Sequence, residues 1–558
     1  MSSTRAGLRA NPWVALSVLS LGLFMTLLDV TIVNVAIPQL IDSIGASFDE
    51  AVWVINAYLL VLGVALITAG RLGDLYGPRN VFLAGIALFT LASAACGLAS
   101  SPGLLIAARA VQGLGAALLT PQSLSIVLAL FAPERRGAAF SVNGITAGVA
   151  SAAGPTLGGV IVTQWDWRGI FFVNLPVGIV TIVLTLWLVP DVRPGRRHRL
   201  DLSGVTVASL GLVAITFALI EGQRYSWGHV WAFVSIPLLL GVGVVLLAAF
   251  VVMQRRRQHG PREPLVPFAL FADRNYTLMN VVSAALQLGL VGLFLPFTIY
   301  LQSVLGLNAL QAGLVYVPSS AVSLLLTPVV GRLVDRIGGK LILITGLTAF
   351  AAGLGLLDLA AGVRASRWAF VPGILIIGAG TSAIFVPLFT LAMGQVKPQL
   401  AGAASGVLQT TRQLGGVLGT AAVGALLQNR LAASLHDQAR QRAHELPVGA
   451  RHDFIASFAH AARGGLDVGA GQTGNSLHAP TGLPRAAAQH LHQVGVQVFD
   501  HGFAAALHPS LLLPVIVLAL AALASVTIHP VRPAASQTPP PGQRAQPRPS
   551  EPVAAADR

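Results

Sequence analysis

Long apolar segments follow one another along nearly the whole 558-residue chain. Hydrophobic residues make up 54% of it and charged residues only 10%, whereas a soluble globular protein has about 25% charged residues. An apolar stretch of roughly 20 residues is long enough to cross a bilayer as a helix. The pattern therefore predicts an all-α integral membrane protein with fourteen transmembrane helices.

The order of the segments predicts two six-helix bundles joined by two extra helices. We expect, in chain order, a cytoplasmic N-terminus (1–12), a first six-helix bundle (13–190), two linker helices with basic cytoplasmic loops (191–275), a second six-helix bundle (276–528) and a disordered, proline-rich cytoplasmic tail (529–558). The second bundle contains a long extracytoplasmic loop, 429–507, with a few helix-compatible pieces. The chain is expected to lie in the plasma membrane, which is the inner membrane in a bacterium.

Basic residues indicate the orientation. Most of the 35 Lys and Arg residues fall in the termini and in every second loop, and such residues concentrate on the cytoplasmic side of membrane proteins. The short loops of the opposite side hold only Arg168, Arg224, Arg364 and Arg367. Both termini are therefore predicted to be cytoplasmic. The formal charge of +14 then reflects membrane topology, and no nucleic-acid partner is expected.

One loop sequence occurs twice. GRLGDLYGPR (70–79) and GRLVDRIGGK (331–340) each join two apolar segments, and they lie about half a chain apart. Internal repeats of this kind are typical of secondary transporters. The loops supply candidate gating residues: Gly70, Asp74, Gly77, Arg79, Gly331, Asp335 and Gly338.

Six motifs in order carry a family resemblance. Besides the first repeated loop they are LDVTIVNVAIP (28–38), RAVQGLGAALLTP (109–121), AGPTLGG (153–159), WRGIFFVNLPVG (167–178) and TTRQLGGVLGTA (410–421). The sequence resembles the fourteen-helix drug:proton antiporter branch of the major facilitator superfamily, although Leu75 and Pro78 replace residues that are commonly basic. The resemblance implies proton-driven export of small lipophilic drugs, dyes or secondary metabolites.

Glycines and a proline interrupt the fifth apolar segment. Gly148, Gly154, Pro155, Gly158 and Gly159 would weaken a helix, but small residues allow close helix packing in membranes. We predict a hinge or close-packing seam between the two halves near the outer side, and the resemblance implies that it seals the outward gate. Ordinary helix packing without a moving part is the alternative.

Two opposite charges lie at similar membrane depth. Asp29 and Arg109 are about 12 and 9 Å from the outer ends of their segments, and a charge at membrane depth is costly. The hypothesis is that Asp29 takes and gives the coupling proton while Arg109 stabilises its ionised form. A static pair that holds two helices together is the alternative. Gln112 and Asn34 are predicted to extend the polar lining.

Further polar and aromatic residues are candidates for a substrate cavity, although interfacial anchoring is an equally good interpretation of each. They are Trp53, Asn56, Tyr58, Asn143, Gln287, Tyr300, Gln302, Phe385 and Arg412. Arg412 is the matching charge of the second half and either contacts substrate or holds helix packing. The tenth segment has no acidic residue, which favours neutral or monovalent lipophilic substrates.

Several other functions find no support. No nucleotide-binding loop GxxxxGK[ST] and no nucleophile–base pair within a segment is present, so we expect neither a cofactor nor an enzyme. The single cysteine excludes a Cys-rich metal site. His436, His444, His452 and His460 recur every eight residues, but each step turns a helix by about 80° beyond two full turns, so they share no face. A solvated loop fits them better than a zinc site.

The predicted function is therefore a proton-coupled antiporter that works by alternating access, with small lipophilic compounds, protons and membrane lipid as partners. A monomeric transport unit is expected, and a periplasmic adaptor protein is a further candidate partner. An exporter of a dedicated lipid or metabolite, or a non-transporting receptor or scaffold, are the alternatives.

Overall fold

The fold was analysed in a computed structural model. It describes residues 11–46, 48–132, 135–191, 201–222, 227–231, 233–257, 266–307, 309–397, 400–446 and 485–529, with isolated positions at 225, 451–452, 454–456 and 458. The predicted N-terminus, the two basic linker loops, most of the loop after Leu446 and the tail lie outside these residues, apart from positions at their edges.

The described chain is almost entirely helical. The first half contains α1 (Pro12–Ile44), α2 (Phe48–Tyr76), α3 (Pro78–Gly97), α4 (Pro102–Leu130), α5 (Arg136–Gln164), the short α6 (Gly169–Phe172) and α7 (Asn174–Leu188). The linker contains α8 (Leu202–Glu221), a two-stranded antiparallel hairpin of β1 (His229–Trp231) and β2 (Val234–Ser235), α9 (Ile236–Arg257) and the short α10 (Ala269–Ala272). The second half contains α11 (Arg274–Ser303), α12 (Ala309–Ile337), α13 (Lys340–Ala360), α14 (Val371–Met393), α15 (Ala401–Arg442) and α16 (Arg485–Ser525). Single turns of 3₁₀ helix cover Arg367–Phe370 and Ala443–Glu445.

Twelve helices in this part of the chain are long and apolar enough to cross a membrane. The fifth and thirteenth predicted spans, α5 and α15, are 29 and 42 residues long but are not among them. Both carry many small and polar residues, which lowers their mean hydropathy. The all-α membrane architecture is thus as predicted, and the total of fourteen spans stays a prediction.

Side chains at the helix starts explain where several helices begin. Asn11, Ser101, Asp201 and Asp273 each accept a hydrogen bond from a backbone N–H of the first turn. These are residue types that favour this position because the first N–H groups of a helix lack a partner. A left-handed Gly45, with φ of 63°, ends α1.

The two halves are related by matching contacts. The second helix of each half packs against the fifth helix of the other: α2 against α15, and α5 against α12. We call the end of the bundle that contains 70–79 and 331–340 the loop end. Both of these contacts reach it, as expected for two parallel repeats around a shared centre.

The linker helix α8 lies against both halves. It packs on α2 of the first half and on α15 of the second. The rings of Trp53 and Phe217 are 5.7 Å apart at their centroids, and Leu219 shares an apolar cluster with Val417 and Ala421. The linker helix α8 therefore covers the α2–α15 junction.

The predicted outer loop 429–507 is largely helical where it is described. α15 continues to Arg442 and α16 begins at Arg485, so the helix-compatible pieces are extensions of two spans. On α15, apolar side chains recur every four residues, and the helix packs against α16. Side chains of both helices belong to one large hydrophobic cluster, which also includes residues of the first half: Leu427, Leu431, Leu435, Val494, Val498 and Phe503. The helix-compatible pieces are therefore helical where the structure describes them, because the apolar periodicity of α15 continues to its end, and the extracytoplasmic position of 429–507 stays a prediction.

Candidate functional site

The buried charges of the first half form one cluster. Arg109 Nη1 donates to Asp29 Oδ2 at 2.5 Å and to Gln112 Oε1 at 2.7 Å. Gln112 Nε2 donates to Asp29 Oδ1 at 2.9 Å. Asp29 and Gln112 have no exposed surface and Arg109 has 1%. Asp29 and Arg109, which the sequence places at similar depth, therefore form a direct ion pair.

Aromatic and backbone groups surround the guanidinium. Its carbon lies 4.4 Å from the centre of the Tyr58 ring and 5.8 Å from that of Phe171, within the range of a cation–π interaction. Arg109 Nε donates to the carbonyl of Val54 at 3.0 Å. Three elements, α1, α2 and α6, thus meet this side chain of α4. A buried ion pair with its hydrogen bonds largely filled is the arrangement in which loss of either charge is most costly.

Two further residues complete the cluster, and the sequence analysis missed both. Asn174, the first residue of α7, donates from Nδ2 to Asp29 Oδ1 at 3.2 Å and to Ser93 Oγ at 3.1 Å. Ser93 Oγ in turn donates to the carbonyl of Phe171 at 2.9 Å. Asn174 lies within WRGIFFVNLPVG, where a polar side chain in an apolar run was the available signal.

The two repeated loops form equivalent contacts between the halves. Asp74 accepts hydrogen bonds from the backbone N–H groups of Gly402 at 2.9 Å and Ala403 at 3.0 Å, at the start of α15. Asp335 accepts from those of Gly137 at 3.1 Å and Ala138 at 3.3 Å, at the start of α5. We call these the Asp74 lock and the Asp335 lock. Each places a carboxyl group on the positive end of a helix from the other half.

Glycines make both locks sterically feasible. A side chain at Gly70 would collide with the carbonyl of Gly402, and one at Gly331 would lie 3.0 Å from the carbonyl of Gly137. Gly77 and Gly338 have φ angles of 88° and 85°, which glycine adopts without strain, and they make the turns after the two acids. Arg79 Nη2 donates to the carbonyl of Leu186 at 2.7 Å, so it fixes α7 within the first half.

The glycine seam in α5 faces two directions. Gly144 and Gly148 approach Thr327 and Ser320 of α12, in the second half. Gly154, however, lies against Thr31 of α1, in its own half, so the prediction that it faces the other half was wrong for this residue. Near the loop end the glycines of α5 therefore face α12, and farther from it Gly154 faces α1.

The remaining residues of that seam are Pro155, Gly158 and Gly159. The helix continues through Pro155, Gly158 is buried, and a side-chain carbon at Gly159 would meet nothing within 4 Å. Their gating role stays a prediction.

Two predicted cavity residues have structural partners. The Trp53 ring packs against Phe217 of the linker helix at an interplanar angle of 34°. The hydroxyl of Tyr300 donates to the carbonyl of Gly362 at 2.7 Å and accepts from the N–H of the same residue at 3.0 Å, so it anchors the turn after α13. These contacts fit a role in helix packing, and the assignment of Trp53 and Tyr300 to a cavity stays a prediction.

The other cavity candidates lie in several places. Gln287 lies beside Gly416, Phe385 packs on the large hydrophobic cluster that contains Leu427, Asn143 is buried on α5, and Asn56 and Gln302 are half-buried. The side chain of Asn34 lies outside the described residues. Arg412 is half-buried, and among the described residues no carboxylate forms an ion pair with it.

A crevice of about 280 Å³ opens between α2, α4 and α8. Its lining is apolar except for two hydroxyl groups: Leu60, Val61, Val64, Ala65, Thr68, Leu114, Val205, Ser209 and Val213. None of the predicted cavity residues belongs to it, so the substrate cavity itself stays a prediction. Within the described part of the chain, no group of three or more His, Cys, Asp or Glu residues could hold a metal ion.

Comparisons with known proteins agree on one family. The model of the Major Facilitator Superfamily matches residues 19–420. An uncharacterized MFS-type transporter of Mycobacterium tuberculosis is 39% identical over 426 residues, which are 76% of this chain and 72% of that protein. The multidrug resistance protein Stp of the same species is 38% identical over 417 residues, 74% of this chain and 76% of Stp.

A third relative and a solved structure extend this result. The tetracenomycin C resistance and export protein of Streptomyces glaucescens is 32% identical over 430 residues, 76% of this chain and 78% of that protein. The crystal structure of the human organic anion transporter MFSD10 superposes with a TM-score of 0.57 at 14% identity, covering 91% of this chain and 99% of that one. At this identity the superposition shows the shared fold alone.

Proposed function

Because the chain belongs to the Major Facilitator Superfamily, we propose that it is a proton-coupled antiporter that exports small lipophilic compounds across the plasma membrane. Relatives named for multidrug resistance and for export of tetracenomycin C support this class of cargo. The observation that carries the proposal is the Asp29–Arg109 ion pair, which is buried at membrane depth in the first half. A membrane scaffold has no need of such a costly pair.

Protonation of Asp29 would change the stability of the whole cluster. A neutral acid leaves the buried Arg109 guanidinium without its counter-charge, and breaking a buried ion pair on one side costs about 3–5 kcal/mol. A difference of that size between two conformations shifts their populations by more than 100-fold. Proton uptake can therefore drive a rearrangement of α1 against α4, which is the step that coupling requires.

The proposed orientation places both termini and the loop end in the cytoplasm. This follows the distribution of Lys and Arg along the sequence. With the Asp74 and Asp335 locks formed, the two halves are pinned together at the loop end, which supports a conformation closed on the proposed cytoplasmic side. Alternating access then requires both locks to open.

Partners follow from this mechanism. The transported compound and the proton are the ligands of a single-chain unit, the surrounding lipid covers the apolar helix faces, and an adaptor protein remains a candidate partner. The name of the tetracenomycin C relative favours a second candidate function, export of one dedicated metabolite.

Reconstitution into vesicles with an imposed pH gradient tests the proposal. We expect uphill movement of at least one compound from a panel of cationic and neutral lipophiles that includes tetracenomycin C, and an uncoupler should abolish it. Transport of one compound only would favour the dedicated exporter. Asp29→Asn should abolish gradient-driven movement, whereas Asp358→Asn, the same change in a partly exposed pair with His508, should not. Uphill export that survives Asp29→Asn at normal expression would reduce the pair to a static helix contact.

A further inference from the structure

Asn174 donates a hydrogen bond to Asp29, the proposed proton carrier. It is 1% exposed and comes from α7, whereas the other two hydrogen-bond donors to Asp29, Arg109 and Gln112, both come from α4. We propose that Asn174 is a positioning residue that holds the Asp29 carboxylate in its ionised, hydrogen-bonded form, and that Ser93 orients Asn174 for this task. The inference rests on the proposed function, which makes Asp29 the proton carrier.

The chemistry of the neighbours fixes the direction of each hydrogen bond. A carboxylate only accepts, so the amide group of Asn174 must present its nitrogen to Asp29. Ser93 uses its one hydrogen on the carbonyl of Phe171, which leaves its oxygen to accept from Asn174. Both hydrogens of the Asn174 nitrogen are therefore used, and a flipped amide would place oxygen against oxygen.

Both oxygens of the Asp29 carboxylate accept hydrogen bonds in this arrangement. Oδ1 accepts from Gln112 and Asn174, Oδ2 accepts from Arg109, and the side chain has no exposed surface. Tyr58 and Cys96 are the other titratable groups at the cluster, and Cys96 Sγ donates to Gln112 Oε1 at 3.5 Å. Donors to a carboxylate stabilise its charged form, so each of the three opposes protonation.

Removal of the Asn174 donor should make proton uptake easier. In Asn174→Leu the pH at which Asp29 is half protonated should rise by about one unit, a tenfold change in proton concentration, because a hydrogen bond to a charged group is lost. Ser93→Ala removes only the residue that orients the amide, so a smaller rise is expected. Thr181→Val is the matched control, since Thr181 is buried on the same helix but donates only to the carbonyl of Val177.

The primary measurement is an infrared pH titration of purified protein that follows the C=O band of the protonated acid and subtracts the Asp29→Asn spectrum. The second is the pH profile of gradient-driven transport in vesicles. An upward shift in Asn174→Leu and Ser93→Ala, with Thr181→Val unchanged, supports the proposal. Equal midpoints in all variants, with transport reduced only in proportion to folded protein, would overturn it and leave Asn174 a structural residue.

The two readouts separate this inference from the proposed function. If wild-type vesicles show no gradient-driven transport, proton-coupled export fails, while the infrared midpoints still decide whether Asn174 sets the protonation of Asp29. If Asn174→Leu does not fold, Ser93→Ala carries the same test at the other end of the hydrogen-bond chain.

Discussion

The Asp74 lock should control how readily the loop end opens. In Asp74→Asn the side chain keeps its shape but loses its charge, and its NH₂ group faces one of the two backbone N–H donors of Gly402 and Ala403. A hydrogen bond to a charged group contributes about 1.5–3 kcal/mol, and a neutral one about 1 kcal/mol. Because one bond is lost and the other weakened, we expect a loss of about 2 kcal/mol from the closed state.

That loss corresponds to a shift of about 30-fold in the ratio of open to closed molecules. The Asp335 lock should matter less, because its hydrogen bonds of 3.1 and 3.3 Å are longer and its carboxyl group is more exposed than that of Asp74. The two locks share no partner, so their free energies should add, and the double variant should shift the ratio by more than about 30-fold and less than about 10³-fold.

Distance measurements between spin labels at the loop end provide the assay. Tyr76 and Gln395 are exposed, lie in different halves, and can be replaced by cysteine, while the native Cys96 is fully buried. We expect Asp74→Asn to increase the population with a long label separation and Asp358→Asn, at the other end of the molecule, to leave it unchanged. An unchanged distribution in both single variants and in the double variant would refute the view that the two acids hold the halves together.

Two further predictions concern stability. Burial alone would raise the pKa of Asp201, but its ion pair with Arg257 and its hydrogen bonds from Gly204 and Gln254 hold that pKa below the usual range. The stabilisation is therefore present above about pH 4 and lost as the pH falls further, so the difference in Tm between wild type and Asp201→Asn should shrink on acidification. Tyr300→Phe should lower the unfolding free energy by about 1 kcal/mol and leave the range of transported compounds unchanged, as measured by thermal unfolding and vesicle transport.

Rare features of the sequence were the most informative about the site. Charges are scarce in the apolar segments, so the similar depths of Asp29 and Arg109 were enough to pair them. The repeated loops likewise singled out Asp74 and Asp335. The sequence did not show their partners, because the backbone N–H groups at the start of α15 and α5 carry no residue signature and come from the opposite half of the chain.

Common features were poor guides. Tyr300 and Trp53 are amphipathic residues that occur both in cavities and in packed interfaces, and only the neighbouring helix decides between these roles. Asn174 was overlooked because a single Asn next to an apolar segment is common in loops and gives no sign of a buried partner. Its importance depends on α7 beginning at this residue and directing the amide towards α1 and α3.

The geometry also connects the proposed proton site with one of the two locks. Arg109 donates from Nε to the carbonyl of Val54 on α2, and the same helix carries Asp74 twenty residues later, about 30 Å along its axis. Any movement of Arg109 away from a protonated Asp29 therefore acts directly on the helix that bears the Asp74 lock. The Asp335 lock joins α12 to α5, and within the described part of the chain none of the cluster's hydrogen bonds reaches either helix. Opening of the loop end should accordingly begin on the α2–α15 side, where the linker helix α8 already spans both halves.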